Sequence, residues 1–383
     1  MAKRINAIFY GNPDQYPPIV NGARLLAREG FELQIFCRGD EAHWNVRYPA
    51  SVKIHRVKSR AKSSWAEYGM FVAKVMRQAG NASIFIGHDM HGFLPAYWLS
   101  RRFDRPIIYH CHDFAEQGRH LALGSELVRR FERRYSRKAD YVIVPDAGRG
   151  NVVAEQLRLS QKPIIVANAP ISRPLADGQA LRAALAAKGK AFSRILFRQG
   201  RIGPGHAIES TLRSIKHWAK PDWAFVVMGT GDDSYLRKLN EQAQDVGVED
   251  QFLILPPVGY DEVHEFTPGA NLGHALYDPI HINNIHITTA SNKIMEYMEA
   301  GVPLLVSDTS SLKSLVNRYQ CGLVADETSD ESIAAAVNTL LGEPEKARTM
   351  GFAARKAFEQ EFCYEHQFGP VIANLKELMS RAK

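Results

Sequence analysis

A chain of 383 residues, 45% hydrophobic and 23% charged, is longer than one hydrophobic core usually serves and has no repeat or low-complexity run, which excludes a solenoid, a fibrous chain or a disordered tail. The formal charge of +7 suits phosphate-bearing ligands, an anionic membrane surface or nucleic acid without choosing among them. No stretch approaches the roughly 20 apolar residues of a membrane span, and the scattered Cys37, Cys111, Cys321 and Cys363 have no metal or redox spacing and read as buried free thiols.

The apolar run within Met1 to Tyr10 is too short for a secretory signal, so a cytoplasmic protein is expected. Ile5 to Tyr10 reads as a strand leading into Gly11-Asn12-Pro13, Pro18 to Glu29 as a helix ended by Gly30, and Glu32 to Cys37 as the next strand. The pattern continues with Ser83 to Gly87, Leu94 to Arg102, Pro106 to His110, Ser125 to Lys138, Tyr141 to Pro145 and Pro163 to Val166. Strands alternating with amphipathic helices predict a parallel sheet covered on both faces. Asn168-Ala-Pro170 and Arg173-Pro174 interrupt the pattern and place a linker near residues 168 to 175, followed by a polar, alanine-rich segment up to Lys190. Alternation then resumes: strands at Ser193 to Arg198, Trp223 to Met228 and Phe252 to Leu255, helices at Ala207 to Trp218 and Ser234 to Val246. The simplest account is an α/β chain of two Rossmann-like domains, residues 1–170 and 171–360, with residues 361–383 a helix packing back on the first. Two such sheets facing each other would form one cleft beyond the carboxyl ends of their strands.

In the second half, strand Ile195 to Arg198 runs into Gln199-Gly200-Arg201-Ile202-Gly203-Pro204-Gly205-His206 before a helix. Glycines admit a ligand close to the backbone, and a helix N-terminus favours an anion, so this is a phosphate site in outline. The spacing is neither G-x-G-x-x-G nor a Walker loop, and a plain glycine-rich turn explains it equally well. Gly229 and Gly231 form a similar, weaker signal after the next strand. The most informative stretch is Ser291-Asn292-Lys293-Ile294-Met295-Glu296-Tyr297-Met298-Glu299-Ala300-Gly301-Val302-Pro303. Ser291 or Asn292 caps a short helix, Gly301 ends it in the left-handed conformation, and Pro303 forbids its continuation. Lys293 in the first turn opposes the helix dipole, a cost that a bound phosphate offsets. Glu296, one turn on, can accept hydrogen bonds from two sugar hydroxyls; a solvated Lys-Glu pair is the plainer alternative.

With these residues in view, nearly the whole chain resembles the retaining glycosyltransferases of family 4, whose GT-B fold sets two Rossmann-like domains face to face. The Asn292-Lys293-x-x-Glu296-Tyr297-Met298-x-Ala300-Gly301-x-Pro303 run is similar to a subgroup that builds bacterial surface polysaccharides and related glycoconjugates. The resemblance implies a nucleotide-sugar donor, UDP- or GDP-linked, held by Gly200, Arg201, Gly203, Gly205, His206, Gly229, Thr288, Ser291, Asn292, Lys293 and Glu296. Gly200 and Arg201 match the diphosphate grip, but His206 stands where the family has a second basic residue. Glu296 matches the ribose-binding glutamate, whereas Thr288 replaces its partner seven residues earlier, leaving backbone N–H groups of Thr288 to Ser291 to hold the sugar. The resemblance assigns His112, with Arg201 and Lys293, to catalysis, and Gly11, Asn12, Asn21, His88, Asp89 and His110 to the acceptor side. It implies metal-independent transfer in which the leaving diphosphate takes the acceptor proton while basic groups stabilise its charge. His281 and His286 read as solvent-facing or packing residues, so no metal is expected.

The basic run Leu127 to Lys138, joined by Val57 to Lys62, has a helical period that fits contact with an anionic membrane, and with it a glycan or lipid-linked acceptor. An ordinary solvated helix explains the run as well. No nucleic-acid-binding module is present. Two other readings stay open: a nucleotide-sugar epimerase of the same fold, which needs no acceptor, and a non-catalytic sugar-nucleotide-binding scaffold, for which His206 and Thr288 speak.

Overall fold

The computed structural model describes residues 3–39, 46–58, 64–114 and 122–381. The chain divides into two compact units, Met1–Asn168 together with Tyr364–Lys383, and Ala169–Cys363. Each unit is built on a parallel sheet with helices packed against it.

In the first unit the strands are β1 (Arg4–Phe9), β2 (Glu32–Arg38), β3 (Val52–Val57), β4 (Ile84–His88), β5 (Ile107–His110), β6 (Tyr141–Val144) and β7 (Ile164–Ile165), paired in parallel in the order 3-2-1-4-5-6-7. Every residue of β4 and β5 is buried, which is why both read as short uninterrupted apolar runs. Helix α1 (Pro17–Arg28) begins with two prolines where a missing N–H costs nothing. Helices α2 (Ser64–Gln78), α3 (Asp89–Phe103), α4 (Leu123–Tyr135) and α5 (Ala147–Leu157) follow. Three elements of this unit were not legible in the sequence. In β3, Lys53, His55 and Arg56 sit between Val52 and Val57 and hide an edge strand inside a basic stretch. Helix α2 follows it, and α5 hides behind its glycines. Helix α3 starts five residues earlier than the period suggests, because Asp89, at φ +52, turns the chain directly out of β4. Of the basic segment 57–62, Val57 closes β3 and Lys58 follows it; residues 59–62 lie outside the described residues.

The second unit opens with helix α6 (Gln179–Ala186) inside the alanine-rich segment that follows the expected linker. Its strands are β8 (Arg194–Gln199), β9 (Trp223–Met228), β10 (Phe252–Leu255), β11 (Leu272–Ala275), β12 (Leu304–Ser307) and β13 (Gly322–Ala325), in the order 10-9-8-11-12-13. Helices α7 (Ile208–Ser214), α8 (Asp233–Asp245), α9 (Tyr260–Phe266), α10 (Ile282–Ile285), α11 (Asn292–Glu299), α12 (Ser310–Tyr319), α13 (Asp330–Gly342) and α14 (Pro344–Ala357) connect or cover them. Helix α11 is capped by the Ser291 hydroxyl, which accepts from the Ile294 N–H, and closes at Gly301 with φ +66. Helix α15 (Tyr364–Arg381) returns to the first unit, where the Tyr364 hydroxyl donates to the Pro18 carbonyl at 2.9 Å and Lys376 pairs with Glu29 at 2.6 Å.

In both sheets the strand order reverses beside the first strand of the unit, between β1 and β4 and between β8 and β11. Loops leaving the carboxyl ends at such a point splay apart and leave a crevice, the usual ligand position in open parallel sheets.

Candidate functional site

In the second unit, β8 ends at Gln199 and the chain turns at Gly200 with φ +93 and again at Gly205 with φ +85, conformations that favour glycine. A Cβ placed on Gly200, Gly203 or Gly205 would meet nothing closer than 3.6 Å. These glycines therefore leave open space rather than fill a tight contact. Gly229 differs: a Cβ there would stand 1.6 Å from the Gly200 carbonyl oxygen, so its bareness lets one loop pack on the other. The loop after β11 closes against the same turn, with the Asp278 N–H donating to the Gly205 carbonyl at 3.1 Å.

Behind this open loop lie two cations, Arg198 deep inside and Lys293 half-buried. Arg198 is fully buried; its Nη1 donates to His274 Nδ1 at 3.1 Å, which places the imidazole proton on Nε2, 2.9 Å from Thr211 Oγ1. Arg198 Nε and Nη2 have no partner, and the groups that favour its charge against burial are Tyr277, Tyr297 and Tyr235 rather than carboxylates. Lys293 Nζ donates to the Tyr277 hydroxyl at 3.1 Å and lies 5.2 Å from the centre of its ring. Burial lowers the Lys293 pKa, Tyr277 opposes the change and Arg198 adds to it. Burial pushes the Tyr277 phenol up, yet Lys293 and Arg198 pull it further the other way and leave it below the ordinary tyrosine range. His206, its Nδ1 unpartnered, is held neutral first by burial and then by Arg198 and Lys293. A neutral imidazole can donate a hydrogen bond to an anion but cannot supply the charge of a second basic residue.

Glu296 is buried, with Gln199 Nε2 donating to its carboxylate at 2.5 Å and Gln199 Oε1 accepting from Thr267 at 2.9 Å. Burial raises its pKa against the opposing pull of Gln199 and Lys293. The plainer alternative of a solvated Lys-Glu pair does not hold, and the helix-rim placement is corrected: this carboxylate is an internal group held by Gln199. Tyr297, next in α11, donates to the Phe197 carbonyl at 2.8 Å and fixes the helix on β8. The Ser291 hydroxyl is occupied by its capping role and by Tyr277 at 2.7 Å. Thr288 Oγ1 and Asn292 Oδ1 are buried without partners. Arg201 is exposed.

In the first unit, three histidines meet at the carboxyl ends of β4 and β5. His88 Nδ1 and His112 Nε2 are 2.9 Å apart in a hydrogen bond, and the ring centres of His110 and His112 are 4.0 Å apart. All three are buried, and His110 Nε2 and His112 Nδ1 have no partner. Burial brings the His88 pKa down to about 3 and lowers those of His110 and His112. The Asp89 carboxylate accepts from the backbone N–H of His112 at 2.8 Å and of Asp113 at 3.2 Å. The Arg149 guanidinium donates to the His112 carbonyl at 2.9 Å. Asp89 and Arg149 thus grip the peptide that carries His112 from both sides. Burial and the neighbouring Asp113 push the Asp89 pKa up to about 8. One ring nitrogen from each of the three histidines lies within 4.8 Å of the others, and the trio could hold a metal ion; the sequence did not suggest this grouping. His281 and His286 flank the one-turn helix α10 rather than lying in an open loop.

Residues 186–357 match the family model of glycosyl transferases group 1, and residues 19–166 match that of the glycosyl transferase 4-like domain. The chain carries a glycosyltransferase group 1 domain and a glycosyltransferase 4-like domain. Over 170 residues it is 27% identical to a GDP-mannose-dependent alpha-(1-6)-phosphatidylinositol monomannoside mannosyltransferase of Mycolicibacterium smegmatis, an overlap of 43% of this chain and 41% of that protein. The Mycobacterium tuberculosis protein of the same name is 30% identical over 170 residues, 43% of this chain and 40% of its own. The chain thus spans about two-fifths of the length of the curated relatives it matches. Among solved structures, sucrose-phosphate synthase from Thermosynechococcus elongatus aligns with a TM-score of 0.73 at 14% identity, covering 99% of this chain and 100% of that one. HepE from Anabaena, in complex with UDP and glucose, gives 0.73 at 14% identity over 98% of this chain and 100% of its own. The fold of the two parallel-sheet domains is that of GT-B glycosyltransferases.

The group 1 domain thus gathers Gly200, Gly203, Gly205, His206 and Lys293 around the buried Arg198, and places Glu296 beside Gln199. Sequence reasoning missed Arg198, Gln199 and Tyr277; the signal for Arg198 was an arginine in an otherwise apolar strand. In the 4-like domain, His88, Asp89, His110 and His112 come together. Asn12 caps a short turn through its side chain and accepts from Arg56 at 3.2 Å. Gly11 lies against the Phe9 ring, and Asn21 is buried inside α1.

Proposed function

We propose that the protein is a retaining glycosyltransferase that moves a sugar from a UDP- or GDP-sugar to a glycan or lipid-linked acceptor in glycoconjugate biosynthesis, without a metal. The observation that carries this reading is the Arg198–Lys293 pair beside an open glycine loop. Buried cations are normally paired, because removing an isolated charge from water is costly. Two unpartnered guanidinium nitrogens whose electrostatic neighbours are phenols fit a site completed by an anionic ligand. A nucleoside diphosphate supplies that charge and carries a ribose for Glu296. The opened space at Gly200, Gly203 and Gly205 supports close approach of phosphate to backbone.

When the sugar–phosphate bond breaks, negative charge grows on the diphosphate. Lys293, Arg198 and the exposed Arg201 would stabilise it, and neutral His206 would add a hydrogen bond. His112, held in place by Asp89 and Arg149, is the group of the 4-like domain assigned to face the transferred sugar, with His88 as its hydrogen-bonded partner. The mannosyltransferase relatives are named for a phosphatidylinositol-linked acceptor, which supports a lipid-linked acceptor for this chain; cytoplasmic placement with peripheral membrane contact is part of the same proposal.

The test is calorimetry of the purified protein with UDP, GDP, ADP and their sugar conjugates, each with and without a chelator. Preferential binding of one nucleoside diphosphate, unchanged by chelation and followed by sugar transfer only when acceptor lipid extract is present, is the expected result. Conversion of the donor to an epimer without acceptor, or no binding to any nucleotide, would overturn it.

A further inference from the structure

We propose that the surface formed by α2, α3 and α4 of the 4-like domain docks on an anionic lipid bilayer. This deepens the lipid-linked acceptor reading and rests on it for its purpose, while the surface itself stands on separate observations. Of the nine exposed large hydrophobic side chains among the described residues, five lie on these three helices: Trp65 and Met70 on α2, Trp98 on α3, Leu123 and Leu127 on α4. Leu123 is 88% exposed and Leu127 54%, far from what a solvated helix needs.

The three helices share one face. Trp65 lies directly over Gly124, where an added Cβ would come within 2.2 Å of its ring. Trp98 meets Phe131 of α4 edge-on at 5.9 Å, and Arg102 of α3 reaches the Met76 carbonyl of α2 at 3.4 Å. Each helix follows a parallel strand and therefore starts at the carboxyl edge of the sheet, the edge that carries His88, His110 and His112. Along α4 the exposed stripe runs Leu123, Leu127, Arg130, Arg134, at helical spacing. Arg101 and Arg102 follow Trp98, and Arg77 follows Met70, all exposed. Every helix thus presents apolar side chains first and arginines after them.

That order fits a membrane surface. Tryptophan and leucine enter the boundary between headgroups and acyl chains, while arginine guanidinium groups meet lipid phosphates. Water alone would leave the apolar patch exposed at a cost, and a neutral partner would add no counter-charge to the arginine belt, in which Arg130 has a 3.7 Å ion pair with Glu126 of its own helix. The sequence showed only the basic period of α4; Trp65 and Met70 of α2 and Trp98 of α3 join it through packing.

The experiment is sedimentation of the full chain with vesicles of phosphatidylglycerol and phosphatidylcholine, against vesicles of phosphatidylcholine alone. Binding to the anionic vesicles is expected to be at least roughly tenfold stronger and to weaken with salt. The exposed triple variant Trp98→Ser/Leu123→Ser/Leu127→Ser should lose roughly tenfold of that binding, and Arg130→Gln/Arg134→Gln should flatten its salt dependence. Nucleotide calorimetry on the same variants should be unchanged, so a failed donor site and a failed docking surface are told apart. Wild-type protein left in the supernatant, or variants that sediment as the wild type does, would overturn the proposal. A dimer that the triple variant makes monomeric would assign the surface to a second copy and overturn it equally.

Discussion

Replacing Lys293 with methionine should move stability and ligand affinity in opposite directions. In the unliganded protein the Lys293 ammonium sits beside Tyr277, in the field of the fully buried Arg198, and its pKa is lowered because burial disfavours its charge. Methionine has similar length, fills the same space and removes a cation from a group that already has Arg198. Relieving the desolvation of Lys293 and its repulsion with Arg198 should outweigh the pull that Glu296 loses, and raise stability by about 1 kcal/mol. A charge-assisted hydrogen bond to a phosphate contributes about 1.5–3 kcal/mol, so its loss should weaken nucleoside diphosphate binding by roughly 10- to 150-fold. Urea denaturation without ligand measures the first quantity and calorimetry the second. If Lys293→Met lowers stability while leaving nucleotide affinity intact, Lys293 is a structural partner of Tyr277, and the argument from the buried cations is wrong.

Two further outcomes follow from the geometry. Glu296→Ala strands the Gln199 amide that now donates to the carboxylate, and should cost about 1–3 kcal/mol in urea melts as well as weakening nucleotide binding; Glu296→Gln should recover most of the stability, and equal stability of the two variants would contradict the internal role of this side chain. Asp89 has a folded-state pKa near 8, above its ordinary value of 3.8. The folded state therefore holds its proton over the range in which the unfolded chain has released it, and the stabilisation present at low pH is lost as pH rises toward 8. Asp89→Asn keeps the acceptor for the His112 and Asp113 N–H groups and removes the titration. Relative to the variant, the wild type should lose up to about 3 kcal/mol between about pH 5.5 and about pH 8, at ~1.4 kcal/mol per pH unit. A wild-type minus variant difference that does not change with pH would show that the carboxyl is already ionised.

Which parts of this protein were legible in the chain, and which were not, follows from the range of the interactions involved. Strand and helix periods, the break near residue 170 and the cap of α11 are local, and Ser291, Gly301 and Pro303 announce that helix within thirteen residues. The glycine turn after β8 and the Lys293–Glu296 spacing are local as well, so the outline proposed here as a phosphate site was visible without coordinates. Edge strand β3 was not, since its outward residues are basic and its periodicity is broken by them.

What only the tertiary structure decided is burial, and burial sets the chemistry. Arg198 looks like one arginine in an apolar strand until β11 and the loop after it bring His274 and Tyr277 against it. Glu296 looks like a surface residue until Gln199, 97 positions earlier, closes on it. Gly203 and Gly229 are indistinguishable as letters, yet one faces open space and the other a carbonyl 1.6 Å from where its Cβ would stand. His88 and His112 become a hydrogen-bonded neutral pair only when parallel strands β4 and β5 align their carboxyl ends. Local spacing determines which residues share a helix or a turn; the cost of charge in a low-dielectric interior depends on partners from distant strands, and only the folded chain supplies those.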